Sequence, residues 1–286
     1  MVLLVCAAAD VTAAASAEGG TGASRVEGGC RWGEGALAYF NLPLETQRVT
    51  CPSRGIAVLE TYGEALRTPF VRYRHPKGWL MRAPVLSVRA SPADDVEIQV
   101  GAPAQVWARG DDGAKRNDGG DIVLGTKWTA LREKGLRPAL GFRWAVKLPN
   151  TSEETGLGTD QTDVMADLIL SKTVGRVQLD GNLGLVVMGD PLHEVDQVDV
   201  LTGGLAASVL VGPGLAAVFE VEGASGRRIF DPQAVMRAGA VWQGPWPTSL
   251  VYGALTKGLA SDSPEWGCRL GFGWALSFAP FDIITP

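Results

Sequence analysis

The chain has 286 residues, a formal net charge of −5 and 46% hydrophobic residues, and glycine occupies 37 positions. This composition excludes a disordered protein, and glycine at about 13% is nearly twice the usual ~7%. The 26 Lys and Arg residues against 31 Asp and Glu, without a dense basic cluster, argue against a nucleic-acid partner. The sequence contains no CxxC, HExxH or GxxxxGK[ST] motif, so we predict no enzyme activity, no catalytic residues, no cofactor and no metal site.

The first residues have the pattern of a secretory signal. Met1–Ala9 is almost wholly apolar, and small residues follow at 13–17, as a signal peptidase requires. We therefore predict a signal peptide over residues 1–17. No Lys or Arg precedes Arg25, which leaves open a native start upstream of Met1.

Residues 18–55 are then predicted to form an N-terminal periplasmic segment. In that oxidising compartment Cys30 and Cys51 either form a disulfide, closing a loop of about 20 residues, or are two unrelated small residues. Cys30 and Cys51 are therefore the candidate residues for a disulfide.

Alternation of large apolar residues with small or polar ones dominates the rest of the chain. Between 138 and 149 and again between 266 and 278, one parity carries Leu, Phe and Trp while the other carries Gly, Ala, Ser, Arg and Lys. Large residues would point into the core of a soluble barrel, which stays an alternative. A small and charged opposite face favours a lumen, so that the large side chains would meet lipid.

Twelve segments of this kind are predicted as strands, most of them long enough to cross a bilayer. They are 56–66, 79–90, 96–109, 121–132, 138–149, 165–174, 176–189, 199–211, 214–223, 233–243, 248–258 and 265–279. Pro84 disturbs the second segment because proline lacks a ladder donor, so a count of ten strands stays possible.

The connections between these segments alternate between long and short, as in outer-membrane barrels. We predict an all-β protein with a closed antiparallel transmembrane β-barrel over 56–279, both termini in the periplasm and a short tail at 280–286. The charge-free run Val200–Phe219 is the one alternative for a spanning helix, but Gly212-Pro213-Gly214 in its middle favours a turn between strands.

Five short motifs in order resemble one family. They are Gly120-Asp121-Ile-Val-Leu-Gly-Thr-Lys127, Pro138-Ala-Leu140 leading to Lys147-Leu-Pro149, Gly156-Leu-Gly-Thr-Asp160, Leu170-Ser-Lys172 with Asn182-Leu-Gly184, and Lys257-Gly-Leu259 with Ser263-Pro-Glu-Trp266. Together they resemble the bacterial outer-membrane barrel family named for the meta-pathway of phenol degradation. The resemblance implies a transporter-like barrel in the Gram-negative outer membrane and the uptake of aromatic compounds.

Parity also predicts which charged side chains line the lumen. The lumen-lining candidates are Lys127, Arg143, Lys147, Asp180, Glu220, Glu222, Arg237 and Arg269. Three of them, Lys127, Arg143 and Lys147, form a basic wall that either opposes Glu220 and Glu222 across the barrel or pairs locally to fill it.

The predicted function is a porin-like channel or transporter for small, and by resemblance aromatic, solutes. A plugged or structural barrel is the main alternative; a barrel phospholipase is disfavoured because the only histidines, His75 and His193, fall on loops. The expected partners are outer-membrane lipid and lipopolysaccharide, an unidentified permeant and the barrel assembly machinery, with no nucleic acid. Interfacial girdle residues are predicted to be Trp128, Trp144, Trp266, Trp274, Tyr252 and Phe278.

Overall fold

Strands make up most of the described chain. The computed structural model describes residues 44–68, 77–189, 197–226, 232–244, 246 and 248–278. The strands are β1 (Ile56–Thr68), β2 (Gly78–Ala93), β3 (Val96–Pro103), β4 (Val106–Gly110), β5 (Lys115–Asp118), β6 (Ile122–Leu131), β7 (Ala139–Leu148), β8 (Asp163–Val174), β9 (Val177–Gly189), β10 (Gln197–Gly212), β11 (Leu215–Gly226), β12 (Gln233–Gln243), β13 (Ser249–Gly258) and β14 (Trp266–Ser277). A 3₁₀ turn, Glu153–Thr155, lies between β7 and β8. Within the described residues there is no helix of the length and apolarity needed to cross a membrane.

The strands form one closed antiparallel barrel. Closure comes from β1, which pairs with β14 on one side and with β2 on the other. Strand β2 has two partners on this side: its first part pairs with β4 and its second part pairs with β3. Strand β4 also pairs with β5, so the short β4–β5 hairpin extends the wall beyond the ends of β3 and β6. Counting β3–β4 and β5–β6 as one bent wall strand each gives twelve, which confirms the predicted number and excludes ten. The run 200–219 forms most of β10 and the first part of β11, joined by a tight turn at Gly214, and not a helix.

Pro84 is accommodated at a break in the ladder between β1 and β2. The pairing register shifts between Tyr62 and Glu64, so Pro84 stands where no β1 partner requires an N–H donor. Its carbonyl still accepts a hydrogen bond from the N–H of Ala104 at 2.8 Å. A proline inside a barrel strand is therefore tolerated because it coincides with the bulge.

The two ends of the barrel differ in the length of their connections. At the end where β1 begins and β14 ends, called the terminal end below, neighbouring strands are joined by short turns such as Gly175 and Gly214, both with positive φ. At the opposite end, called the loop end, the connections are long and include 149–162 and 259–265. This alternation was predicted from the sequence.

The barrel has an apolar outside and a charged inside, the reverse of a soluble protein. Large apolar side chains on nearly every wall strand are exposed, among them Leu205 and Leu270 at 72% and 69%. The inward parity instead buries charges; Lys127 is 1% exposed and Glu97 0%. A closed barrel with this polarity satisfies its backbone hydrogen bonds between strands and presents hydrocarbon to lipid.

Aromatic pairs mark both ends of the apolar belt. Toward the terminal end, the ring of Trp128 is stacked on that of Phe142, and the ring of Trp246 on that of Trp274. Toward the loop end, Trp79 and Trp266 form an edge-to-face pair. The girdle prediction for Tyr252 is wrong, because its side chain is 2% exposed and belongs to an inward-facing cluster. Its neighbours on β13 follow a strict alternation that turns Val251, and not Tyr252, outward.

Candidate functional site

A segment that precedes the first strand crosses the inside of the barrel. This segment, residues 44–52, is called the strap below. Two of its buried apolar side chains lie in separate patches of the inner wall: Leu44 packs with inward residues of β1 and β10–β14, and Val49 with Ala139 and Ile169 of β7 and β8. Burial of each side chain contributes roughly 1.5–3 kcal/mol. The strap residues had been predicted as part of a periplasmic segment; the structure places 44–52 within the barrel instead.

Backbone groups of the strap are bound by inward-facing side chains. The N–H of Thr46 donates to Oε1 of Glu220 at 2.5 Å, and the N–H of Glu45 to Oε2 of the same carboxylate at 3.3 Å. The buried ammonium of Lys127 donates to the carbonyls of Arg48 at 2.9 Å and Thr50 at 3.4 Å. These strap groups thereby gain partners that an apolar lumen would deny them.

Further contacts fix the middle of the strap. The N–H of Val49 donates to Oγ of Ser171 at 2.9 Å, and that hydroxyl donates to Asp180 at 2.6 Å. Arg48 forms an ion pair with the same Asp180 at 3.5 Å. The strap is therefore held from β8 and β9 as well as from β6 and β11.

Two inward glycines leave the space that the strap occupies. A Cβ atom on Gly204 would lie 2.4 Å from Oγ1 of Thr46, and one on Gly141 would lie 3.2 Å from Cγ1 of Val49. Real Cβ atoms essentially never approach another heavy atom within 3.0 Å. A side chain at Gly204 thus requires the Thr46 side chain to change its rotamer or the strap to move.

The predicted lumen residues face inward and pair with near neighbours. Arg143 bonds Asp167 at 2.9 Å, and Lys147 bonds Asp163 at 2.9 Å. Lys127 lies 3.3 Å from Glu97. The hypothesis of a basic wall facing an acidic wall is therefore not what the structure contains; its alternative, local pairing, describes these contacts.

On the other side of the lumen, Arg237 bridges Glu220 at 2.5 Å and Glu222 at 2.7 Å. Arg269 bonds Glu64 at 2.8 Å and the strap residue Glu45 at 2.6 Å. Because truncation of one partner of a buried pair leaves an uncompensated charge, each of these pairs ties wall strands and strap to one arrangement.

Four charged residues of the first two strands were missed by the sequence analysis. Glu60, Glu64, Arg82 and Arg89 all face inward: Arg89 bonds Glu60 at 3.0 Å, and Arg82 bonds Glu64. The disturbed pattern around Pro84 concealed Arg82 and Arg89 on β2. The i, i+2, i+4 spacing along β1 places Glu60 and Glu64 on one face and was the available signal.

The predicted disulfide falls partly outside the described residues, since Cys30 lies in the undescribed part. Cys51 and Cys268 are free thiols in the described chain, and Cys51 is buried in the strap against Thr129, with Sγ 3.6 Å from its hydroxyl. Burial raises the pKa of the Cys51 thiol. His75 and His193 also lie outside the described residues.

A clamp at the loop end fixes the connection after β7. The N–H groups of Asn150 and Thr151 donate to Oδ1 of Asp121 at 3.0 and 2.9 Å. Burial opposes ionisation of this carboxyl, but the two N–H donors and Lys147 outweigh burial and hold the pKa of Asp121 below its ordinary value. The clamp joins Asp121, immediately before β6, to the start of the connection that follows β7.

Two cavities remain in the lumen beside the strap. One encloses about 380 Å³ and the other about 280 Å³, and the strap residues Glu45 and Gln47 line both, together with Arg82 and Arg143. The larger cavity lies toward β10–β13, with Glu222 and Arg237 in its wall. In the described chain no group of three or more His, Cys, Asp or Glu residues is arranged to hold a metal ion.

These features define the class: a closed twelve-stranded β-barrel that spans a membrane. The fold is similar to that of the COG4313 outer membrane channel from Pseudomonas putida F1, with a TM-score of 0.64, 14% sequence identity, and coverage of 82% of this chain and 100% of that one. The chain therefore has the fold of an outer-membrane β-barrel channel.

Two further solved barrels have lower TM-scores. The anion-selective porin from Comamonas acidovorans gives a TM-score of 0.38 at 9% identity over 77% of this chain and 98% of that one. The transport unit of the autotransporter AIDA-I from Escherichia coli gives 0.47 at 11% identity over 86% and 94%. No family model and no curated protein sequence matches the chain.

Proposed function

We propose that this protein is an outer-membrane diffusion channel for small polar solutes, with the strap as its constriction. The observation that carries the proposal is the strap itself, bound across a charged lumen between cavities of about 380 and 280 Å³. Twelve strands enclose more space than the side-chain-filled interior of eight-stranded barrels. Here part of that extra space holds the strap and part is left as cavity.

The ion pairs of the lumen favour polar permeants. Pairs such as Arg143–Asp167 and Arg237–Glu222 line the cavity with both signs of charge, and a solute in transit exchanges water for these donors and acceptors. Among the described residues, the wall of the larger cavity includes no aromatic side chain, and Tyr62 contributes the only aromatic ring to the smaller one. Uptake of aromatic compounds, and membership of the phenol meta-pathway family, thus stay predictions from the sequence motifs.

The plugged barrel is the second candidate because a specific observation favours it. Leu44 completes an apolar cluster with Val58, Leu210 and Leu250 inside the terminal end, where it narrows the lumen. In that case the strap would be a permanent part of the core, and the cavities would be closed to the solution.

Conductance in planar bilayers, paired with solute-driven swelling of proteoliposomes, separates the two candidates. The folded state is first verified by heat-modifiable gel mobility. Discrete conductance and swelling with solutes of a few heavy atoms are expected, and swelling by benzyl alcohol is compared with that by a similar aliphatic alcohol to test an aromatic preference. A folded protein without conductance and without swelling would refute the channel and favour the plugged barrel.

A further inference from the structure

The larger lumen cavity contains donors that no protein group satisfies. Among the described residues, the Nε–H of Arg237, the Nε–H of Arg82 and the hydroxyl of Thr256 are buried without a hydrogen-bond partner. All three residues line the same cavity of about 380 Å³. Arg237 and Thr256 are 7% and 4% exposed and stand directly opposite each other on β12 and β13.

Buried donors of this kind cost free energy unless an acceptor reaches them. The two terminal nitrogens of Arg237 bond Glu220 and Glu222, so the Nε–H is the guanidinium donor without an acceptor. Arg82 is in the same situation, since its bond to Glu64 uses a terminal nitrogen. Acceptor atoms of a ligand in the cavity would satisfy these groups.

Three carboxylates in the same wall set the charge of the ligand: Asp167, which is paired with Arg143, and Glu45 and Glu222. The side chains of Glu222 and Glu45 are 27% and 47% exposed, so they reach the cavity even though each bonds an arginine. They disfavour a simple anion and attract a cationic group. The cavity thus presents donors for an acceptor oxygen beside carboxylates for a cation.

We propose that this cavity is a binding subsite for small zwitterions that carry a carboxylate and an ammonium group, as amino acids do. The carboxylate accepts from Arg82, Arg237 and Thr256, and the ammonium donates to Glu222 and Glu45. A volume of about 380 Å³ lies at the lower end of small-molecule pockets and admits a ligand of this size. The inference deepens the proposed function by naming a solute class for the same lumen.

Binding is measured directly on the full-length protein folded in detergent micelles, by ligand-observed NMR titration with three matched probes. Alanine carries both charges, propionate only the carboxylate and ethylammonium only the cation. Saturable binding of alanine, about tenfold tighter than that of either single-charge probe, is expected. Equal binding of propionate, or of ethylammonium, would overturn the assignment, and absence of saturable alanine binding would mean that the donors hold only water.

Two substitutions distinguish the loss of a ligand contact from a general disturbance of the fold. Thr256→Val removes one hydroxyl at nearly constant shape and is expected to weaken alanine binding about fivefold or more, whereas Thr126→Val, on the lipid-facing side of β6, leaves it unchanged. Glu222→Gln is expected to weaken alanine binding and to strengthen propionate binding. A parallel change of both probes in Glu222→Gln would contradict the proposed orientation.

The binding experiment and the conductance experiment test the two proposals independently. Alanine binding by a protein that neither conducts nor permits swelling would support the subsite and refute the channel. Conductance by a protein that does not bind alanine would support the channel and refute the subsite.

Discussion

The substitution Gly204→Val tests whether the strap is seated as the structure shows. A Cβ at this position would lie 2.4 Å from Oγ1 of Thr46, about 1 Å inside an ordinary contact. The neighbouring Gly203 provides the matched control, because it faces lipid and the atom nearest to its Cβ would be the carbonyl oxygen of Asn182 at 3.7 Å. Both variants add the same side chain to the same strand, and only one of them meets the strap.

The size of the effect follows from the contacts that a displaced strap loses. Moving Thr46 away from β10 breaks two N–H donations to the carboxylate of Glu220, from Thr46 and from Glu45. Hydrogen bonds to a charged group contribute about 1.5 kcal/mol each at the low end, so the pair contributes about 3 kcal/mol. That value shifts the ratio of bound to displaced strap about 100-fold toward the displaced state.

Two assays report on the displaced strap. Single-channel records are expected to show a larger mean conductance for Gly204→Val than for Gly203→Val. Cys51, which is buried on the strap, serves as the second reporter in a background where Cys6, Cys30 and Cys268 are replaced by serine. Its reaction with a water-soluble maleimide is expected to be slow in Gly203→Val and at least tenfold faster in Gly204→Val, because thiol access follows the displaced population.

The reasoning would be refuted if both glycine variants showed the same conductance and the same thiol reactivity as the parent protein. Faster thiol reaction without a change in conductance would show that the strap moves but does not constrict the lumen.

Three further predictions concern stability. Lys127→Met removes one of the two cations paired with Glu97, the other being Arg89 at 3.5 Å, together with two donors to the strap, so denaturant unfolding in micelles should show a loss of about 3 kcal/mol; adding Glu97→Gln should recover part of it, and no recovery would argue against a direct pair. Leu205→Arg on the lipid face should cost up to about 2–4 kcal/mol, less if the residue lies near an interface, and a neutral result would contradict the assigned membrane-facing surface. Because the pKa of Asp121 is lowered in the folded protein, its clamp contributes stability above the ordinary carboxyl pKa and loses it as the pH falls through the lowered value. The NMR amide signal of Thr151 should therefore stay unchanged from pH 7 to about 5 and shift at lower pH, and a shift centred at or above the ordinary value would contradict the clamp.

The wall of the barrel was predictable because it follows from local pattern. Alternation along β7 and β14 turns Trp144 and Leu270 to lipid and Arg143 and Arg269 to the lumen, and this period of two does not depend on which strands become neighbours. The alternation of long and short connections then decides that consecutive strands pair, and a sheet that spans lipid must close. Where the pattern is interrupted, as at Pro84 on β2, the prediction lost Arg82 and Arg89 from the inner face, and on β1 it missed Glu60 and Glu64.

The interior was decided by tertiary structure. Parity identifies Lys127 and Glu220 as inward residues, but it does not say that Lys127 meets Glu97 and the strap, or that Glu220 accepts from Thr46, 174 positions away. Those contacts depend on strand tilt and barrel diameter, which no local spacing records. For the same reason Gly204 looked like any other glycine of a glycine-rich chain until the fold placed Thr46 against it. The sequence by itself determined a membrane-spanning barrel and which side chains face its lumen; only the closed barrel determined that residues 44–52 cross that lumen and which donors they leave unpaired beside them.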